Sequence, residues 1–485
     1  MPTPRSAVLA ICLLLIAGAE GQTAASPGPP LRLAETIPLP ATVHGKFDHL
    51  AVDRRGNRLF VASEDAGAVY VVDLASGRPV GRIGGLARPH AVFFHDDPAR
   101  LVVTDGGTGT VHIYDGTTLR PLRTVALRKD ADSLGYDASL NALYVENGGG
   151  EAGASWSAVS AIDLATAHTT AEMHVAAKTI DGIALDTYRP RTYVDDVGGN
   201  AVVVIDRWEH RIVARWTIAG ARGPVALALD EPRQRLFVGC RSGAVVVLDT
   251  NTGRMVQTLA IPAGVDDLAW DAASRRLYAA ADGVVAVYQQ TDADHYTASG
   301  TVPTGPHART ARLVPELGRY FVAAPAHAGH PAAILAFGPV GVAPYVAPSP
   351  QPRTPVDAPV AEALVRHMLS MHPYLRKMGL HVVPPGGSQS ILIANGNATR
   401  LGIATTDADF AAVASGTTYG PAIPDGAFYN MKMPMFDAQN RRIGILVMEI
   451  PFTTARDETD AAHRAEAIRA ELAAQIPSLD ALFRR

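Results

Sequence analysis

Carboxylates and imidazoles recur in this sequence at one point of an internal repeat. Aligned on that repeat, Asp48, His90, Asp132, Asp181, Val225 and Asp266 occupy the same position in six successive units, with His49 beside the first. His307 opens the seventh. Carboxylates suit hard cations, and a mixed His/Asp set suits zinc, copper or iron. Asp48, His90, Asp132, Asp181 and Asp266 are therefore candidate ligands for a divalent metal. The same five with His49 and His307 are candidate contacts for a polar ligand. A plainer reading stands beside this one, in which the polar lining only hydrates strand ends in a water-filled channel. Ligands drawn from separate repeats have no short spacing that would decide between the two.

The elements that must position these residues are written seven times. The phrases are LFVAS (59–63), LVVTD (101–105), LYVEN (143–147), TYVDD (192–196), LFVGC (236–240), LYAAA (277–281) and YFVAA (320–324). Their second residues are spaced by 42, 42, 49, 44, 41 and 43 positions. A period of about 40–45 residues built of short strands is the mark of a β-propeller. In the first unit the strands are predicted at 49–53, 58–63, 68–73 and 79–86, separated by turn residues. The start of each inner strand then faces a shared channel, which is why the ring of Asp and His matters. The seventh unit lacks an outer strand, and 31–40 matches the outer strand at 253–262 almost position for position. An N-terminal strand completing the last blade would close the ring and remove two exposed sheet edges.

Two further Asp series read as turn caps that accept backbone N–H bonds. They are Asp73, Asp115, Asp163, Asp206 and Asp249 after the third strands, and Asp53, Asp137, Asp186, Asp230 and Asp271 after the inner ones. Cys240 sits at a repeat position held elsewhere by Ser63, Asp105, Asn147, Ala281 and Ala324 and reads as a packed small residue. His327 and His330 lie in a Gly/Pro/Ala turn. The seven-residue excess of the third unit, with Gly148, Gly149, Gly150 and Glu151, reads as a projecting loop.

The phrases are degenerate copies of a Tyr-Val-Thr-Asn signature, and over residues 31–339 the chain resembles the YVTN/YncE-like family of seven-bladed propellers. The resemblance implies the architecture and an exported setting, with diverse partners rather than one activity. Propellers of the gluconolactonase type hold a metal with Glu, Asn and Asp, and the alignment places no Glu in this ring. Nucleic-acid binding is linked to some YncE-like relatives. Here 43 basic against 47 acidic residues and the absence of a basic run argue against it.

Residues 340–359 form a Pro-rich linker. Beyond it, over 360–485, the pattern changes to mixed α/β. Helices are predicted at 360–371, 407–415 (capped by Thr406 or Asp407) and 457–475, and strands at 389–395, 399–404, 427–436 and 442–450. This order, with Phe428-Tyr429-Asn430, Pro434, Asp437 and Arg442-Ile443-Gly444-Ile445-Leu446, resembles an extracytoplasmic PAS/Cache-like sensor domain over 360–483. The resemblance implies a small metabolite held between the sheet and its cover. Arg400, Tyr419, Tyr429, Asn430 and Lys432 are its candidate contacts, and Lys432 is expected on the solvated face.

Residues 1–21 carry Arg5, an apolar run too short to span a bilayer and a small-x-small site, which together read as a cleaved signal peptide. Residues 22–30 follow as a loose leader. Ile11 before Cys12 is too bulky for a lipobox, so no lipid anchor is expected, and no other stretch is apolar enough for a membrane span. A periplasmic or secreted monomer follows. Taken together, the sequence predicts a mainly β protein, a seven-bladed β-propeller closed by an N-terminal strand and followed by a small α/β PAS/Cache-like domain. The expected role is that of a non-enzymatic binding or sensing protein whose partner is a small-molecule metabolite or a protein. The alternative is a metal-dependent hydrolase or lyase using the Asp/His channel. No cofactor beyond a divalent metal in that channel is suggested.

Overall fold

The computed structural model describes residues 28–347 and 349–484; the expected signal peptide at 1–21 lies outside the described residues. Among the described residues, seven four-stranded antiparallel sheets are followed by one five-stranded sheet. Sheets 1 to 6 follow chain order, at 47–84, 89–126, 134–175, 183–217, 224–260 and 267–303. Sheet 7 takes three strands from 310–339, and its outer strand is Leu31–Pro38, which pairs antiparallel with Ala333–Pro339. The closing strand expected from the N-terminal segment is therefore present.

The repeat phrase forms the second strand of each sheet, and its apolar residues supply the packing. Seven hydrophobic clusters each span two neighbouring sheets, from Phe60 and Val103 between sheets 1 and 2 to Tyr278 and Tyr320 between sheets 6 and 7. The cluster with Leu50, Val61, Phe321 and Ile334 joins sheet 7 back to sheet 1. Every sheet thus buries both faces, and the ring closes. Both Asp series cap turns as expected: Asp73 Oδ1 accepts Ser76 N–H at 2.7 Å after a third strand, and Asp53 Oδ1 accepts Gly56 N–H at 2.7 Å after an inner one. Cys240 is fully buried, and that burial pushes its thiol up to about 12, as suits a packed residue and not a nucleophile. His327 and His330 exchange backbone hydrogen bonds across a tight turn.

The C-terminal sheet is ordered Ile391–Asn395, Lys377–Val382, Arg442–Pro451, Phe428–Phe436, Ala422–Ile423. Helices α1 (Pro359–Met371) and α3 (Glu458–Ala474) cover one face through Val365, Met368, Ile468 and Leu472, packed on Met431, Met433, Leu446 and Met448. Short helix α2 (Asp407–Ala412) begins at a capping box between Thr406 and Asp409. Two strand expectations are corrected. Lys377–Val382 is a strand outside the expected set, although Met378, Leu380 and Val382 alternate in it with Lys377, Gly379 and His381. The strand expected at 399–404 is absent; a single turn, Ala398–Arg400, and isolated bridges stand there.

The two parts touch directly. Trp208 of sheet 4 packs against the C-terminal core, and Arg376 donates to Pro232 O at 2.9 Å. Lys377 Nζ lies 5.4 Å from the ring centroid of Tyr188.

Candidate functional site at the channel mouth

The inner strands of sheets 1 and 2 each begin with a bulge, between Phe47 and Leu50 and between Pro89 and Val92. A bulge turns side chains away from the regular pleat, and here the bulged residues are Asp48, His49 and His90. Asp48 Oδ2 lies 2.5 Å from His90 Nδ1, and Asp48 Oδ1 lies 3.5 Å from His49 Nε2. His49 also reaches Ser133 Oγ at 3.2 Å and Asp267 Oδ1 at 3.2 Å, so its imidazole touches sheets 3 and 6 from sheet 1. Opposite, Arg241 spans Asp181 (2.9 Å) and Asp266 (3.4 Å), while Arg309 holds Asp266 at 3.1 Å.

The charge balance sets the chemistry. Burial opposes ionisation of Asp48, but His49 and His90 outweigh it and hold the carboxyl down at about 2. Burial likewise opposes the charge on His90, yet Asp132 and Asp48 lift it to about 9. His49 stands well above its ordinary value because Asp267 and Asp48 overcome its burial. The remaining acids move the other way. Burial pushes Asp181 up to about 7 against the pull of Arg241, and burial with repulsion from Asp48 and Asp181 holds Asp132 well above the carboxylate range. The mouth therefore has more carboxyl groups than it can ionise at neutral pH without a further cation.

The structure assembles Asp48, His49, His90, Asp132, Asp181 and Asp266 as the alignment indicated, and corrects three points. His307 is not in the ring: its side chain is exposed and pairs with Asp282 at 3.3 Å, while Arg309 takes the place at the mouth. Glutamate does enter the site, from a second strand (Glu146) and from the turn after one (Glu64), not from the inner strands. Glu64 lies against Asp48 and His90, and Glu146 is wholly buried with both carboxyl oxygens lacking a hydrogen-bond partner. Glu146 and Asp195 are fourth residues of their repeat phrases, where small residues are usual, and that departure was the available signal. Finally, the candidate ligands divide. Ligand atoms of Asp48, Glu64 and His90 lie within 4.8 Å of one another, as do those of His90, Asp130 and Asp132; among the described residues Asp181 and Asp266 join neither group.

Behind the mouth a cavity of about 440 Å³ runs along the ring axis. Its accessible wall is more polar than apolar; Leu134, Ile183, Leu227 and Leu268 contribute the apolar part, and Phe94 and Trp270 lie further along the inner strands.

Comparison of the sequence with known families and with curated proteins gives no match. Among solved structures, a chain in the crystal structure of a mitotic checkpoint complex is 17% identical with a TM-score of 0.54, covering 69% of this chain and 98% of its own. A chain of Kuenenia stuttgartiensis hydrazine synthase is 15% identical with a TM-score of 0.52, covering 62% of this chain and 97% of its own. With the repeated four-stranded sheets, these likenesses settle the fold class. The fold is a β-propeller. At such identities the likeness extends to the fold alone.

Outside the propeller, the C-terminal candidates separate. Tyr429 belongs to the hydrophobic core and packs on Phe452 with ring centroids 4.7 Å apart, so it is not placed to meet a ligand. Tyr419 is exposed and bridges the Lys432 backbone. Lys432 lies on the sheet face opposite the core, as expected, but is largely covered: its Nζ pairs with Asp409 Oδ1 of α2 at 2.6 Å. Asn430, two residues before Lys432, shares that face, and its Oδ1 is buried without a partner, as is Arg400 Nε. His381 of the unannounced strand joins them. Burial, with Lys377, Arg400 and Lys432 nearby, drives its imidazole down to about 4 despite Asp409.

Proposed function

We propose that this chain is an exported binding protein, a seven-bladed YncE-like propeller followed by a PAS/Cache-like domain, which captures a cationic group of a small molecule in its Asp/His mouth. The observation that supports this reading is the convergence of Asp48, Asp132, Asp181, Asp266 and Asp267 at one end of the ring, where Asp266 and Asp267 line a cavity of about 440 Å³. Burial and mutual repulsion push Asp132, Asp181 and Asp266 toward protonation. A bound cation lets them ionise, so binding is repaid by relief of that repulsion. The second domain adds a polar sheet face beneath α2, with Arg400, Asn430 and Lys432.

Thermal unfolding of the full chain with 1,4-diaminobutane or phenethylamine tests the reading. A ligand selective for the native state raises the midpoint in a saturable way, and Asp181→Asn with Asp266→Asn should remove the rise. No shift with either amine, or a shift that survives the double substitution, would defeat it.

A second reading, a metal-dependent hydrolase or lyase, has its own support at His90. With Nδ1 against Asp48, His90 leaves Nε2 buried and without a partner, as in a histidine oriented by a carboxylate toward a metal. His90, Asp130 and Asp132 offer a mixed nitrogen–oxygen donor set that fits a zinc-like ion, which would supply a polarising charge at the mouth. Elemental analysis of untagged protein after exposure to zinc, manganese and calcium decides it. About one metal per chain, lost in Asp132→Ala, supports this reading, and substoichiometric metal in every case removes it.

A further inference from the structure

The repeat register isolates one side chain inside the channel. The second residue of each phrase pairs with an inner-strand residue, and in sheets 1 to 6 those partners are Ala51, Phe93, Gly135, Ala184, Ala228 and Ala269. In sheet 7 the partner of Phe321 is Arg312. Five of the six equivalents are Ala or Gly, so the ring leaves room at this level and fills it from one side with a guanidinium.

Arg312 lines the cavity, and among the described residues its guanidinium has no hydrogen-bond or ion-pair partner. Its side chain is solvent-accessible within the channel, where burial opposes its charge and the carboxylates of Asp267 and Glu316 favour it from beyond ion-pair distance. Asp267 aligns with Thr310, two residues nearer the mouth on the same strand face. Two residues of strand span about 7 Å. The acids of the mouth and the unpaired cation therefore stand a few ångströms apart along one shaft, beside Leu134, Ile183, Leu227 and Leu268.

We propose that the channel takes a zwitterion, an amino-carboxylate, whose ammonium sits among Asp266, Asp267 and Asp181 and whose carboxylate is held by Arg312. This rests on the cationic-group reading above and adds the anionic half of the ligand. A simple carboxylate meets repulsion from the acidic mouth, and a simple amine leaves Arg312 unsatisfied; a zwitterion answers both. Arginine presents planar, paired donors suited to a carboxylate.

The test is calorimetric titration of the full chain with L-phenylalanine, its methyl ester, 3-phenylpropanoate and 6-aminohexanoate, the last varying the separation of the charges. One of the two zwitterions should bind about tenfold or more tighter than the ester and the carboxylate, the size of one charge-assisted interaction. Arg312→Gln should bring that zwitterion down to the level of the ester, and Arg312→Lys should recover part of the difference. Circular dichroism confirms that both variants are folded. Equal binding of zwitterions and ester, or no loss in Arg312→Gln, overturns the role of Arg312 while leaving the acidic mouth as a cation site. Tight binding of 3-phenylpropanoate alone overturns the zwitterion. Absence of binding by all four overturns this proposal together with the reading on which it rests.

Discussion

Asp48 Oδ2 and His90 Nδ1 meet at 2.5 Å, joining the inner strands of sheets 1 and 2 at the channel mouth. Both stay charged over a wide range, Asp48 down to about 2 and His90 up to about 9. A depressed carboxyl stabilises above its ordinary value of 3.8, and that contribution is lost as pH falls through about 2. A raised imidazole stabilises below 6.5, and that contribution is lost as pH rises through about 9. In metal-free protein the denaturation midpoint should therefore carry an acid limb and an alkaline limb from this pair, with a plateau between. Asp48→Asn should flatten the acid limb, shrink the alkaline one and cost about 3 kcal/mol, as for a broken buried pair. An unchanged profile would contradict the pairing.

Glu146 behaves in the opposite sense. Burial, with Asp195 and Asp132 nearby, holds it well above the carboxylate range, so folding favours its neutral form. Its contribution weakens as pH rises above 4.5, where only the unfolded chain ionises freely. Glu146→Gln keeps the shape and removes that penalty. The variant should gain stability relative to the parent at pH 8 and gain less at pH 5, measured by urea denaturation. Equal effects at both values would show that Glu146 is ionised in the folded state.

Gly106 is the floor beneath His90. A Cβ there would meet His90 Cδ2 and Nε2 at 2.7 Å each. Since Asp48 holds the ring from the other side, Gly106→Ala should cost about 1–3 kcal/mol, typical of overpacking, and weaken amine binding at the mouth. Full stability with unaltered binding would mean that the imidazole is free to move.

Much of this was legible in the repeat. Counting the phrase located the seven second strands and the closing strand, because packing between sheets demands the same apolar residues each time. The ring at the mouth followed from register, which fixes which residues share a channel. The failures have equally local causes. His307 precedes the strand by a turn with positive φ and so faces outward. Glu146 comes from a second strand and Glu64 from the turn after one, and no alignment of inner strands would include them. Arg312 escaped notice because its identity is informative only beside Ala269 and Ala228, its equivalents. In the second domain the alternation of Met378, Leu380 and Val382 with Lys377, Gly379 and His381 does mark a half-buried strand, so that element was legible too.

Arg376 is one of several residues that join the domains, beside Trp208 and Lys377. It donates to Pro232 O, lies 3.9 Å from the Phe428 ring centroid and pairs with Glu449. Arg376→Ala should destabilise the C-terminal domain by about 2 kcal/mol, since Glu449 is left largely buried. Scanning calorimetry should then resolve two unfolding transitions where the parent shows overlapping ones. A single transition shifted as a whole would place the coupling elsewhere, with Trp208 the next residue to test.

The central claim is that the acids at the mouth form a site for a cationic group. Its most direct test is calorimetric titration of metal-free full-length protein with phenethylamine, alongside the Asp181→Asn/Asp266→Asn double variant. The account predicts saturable one-to-one binding in the parent and an affinity about tenfold or more lower in the variant. No binding by the parent, or equal binding by both proteins, would contradict it.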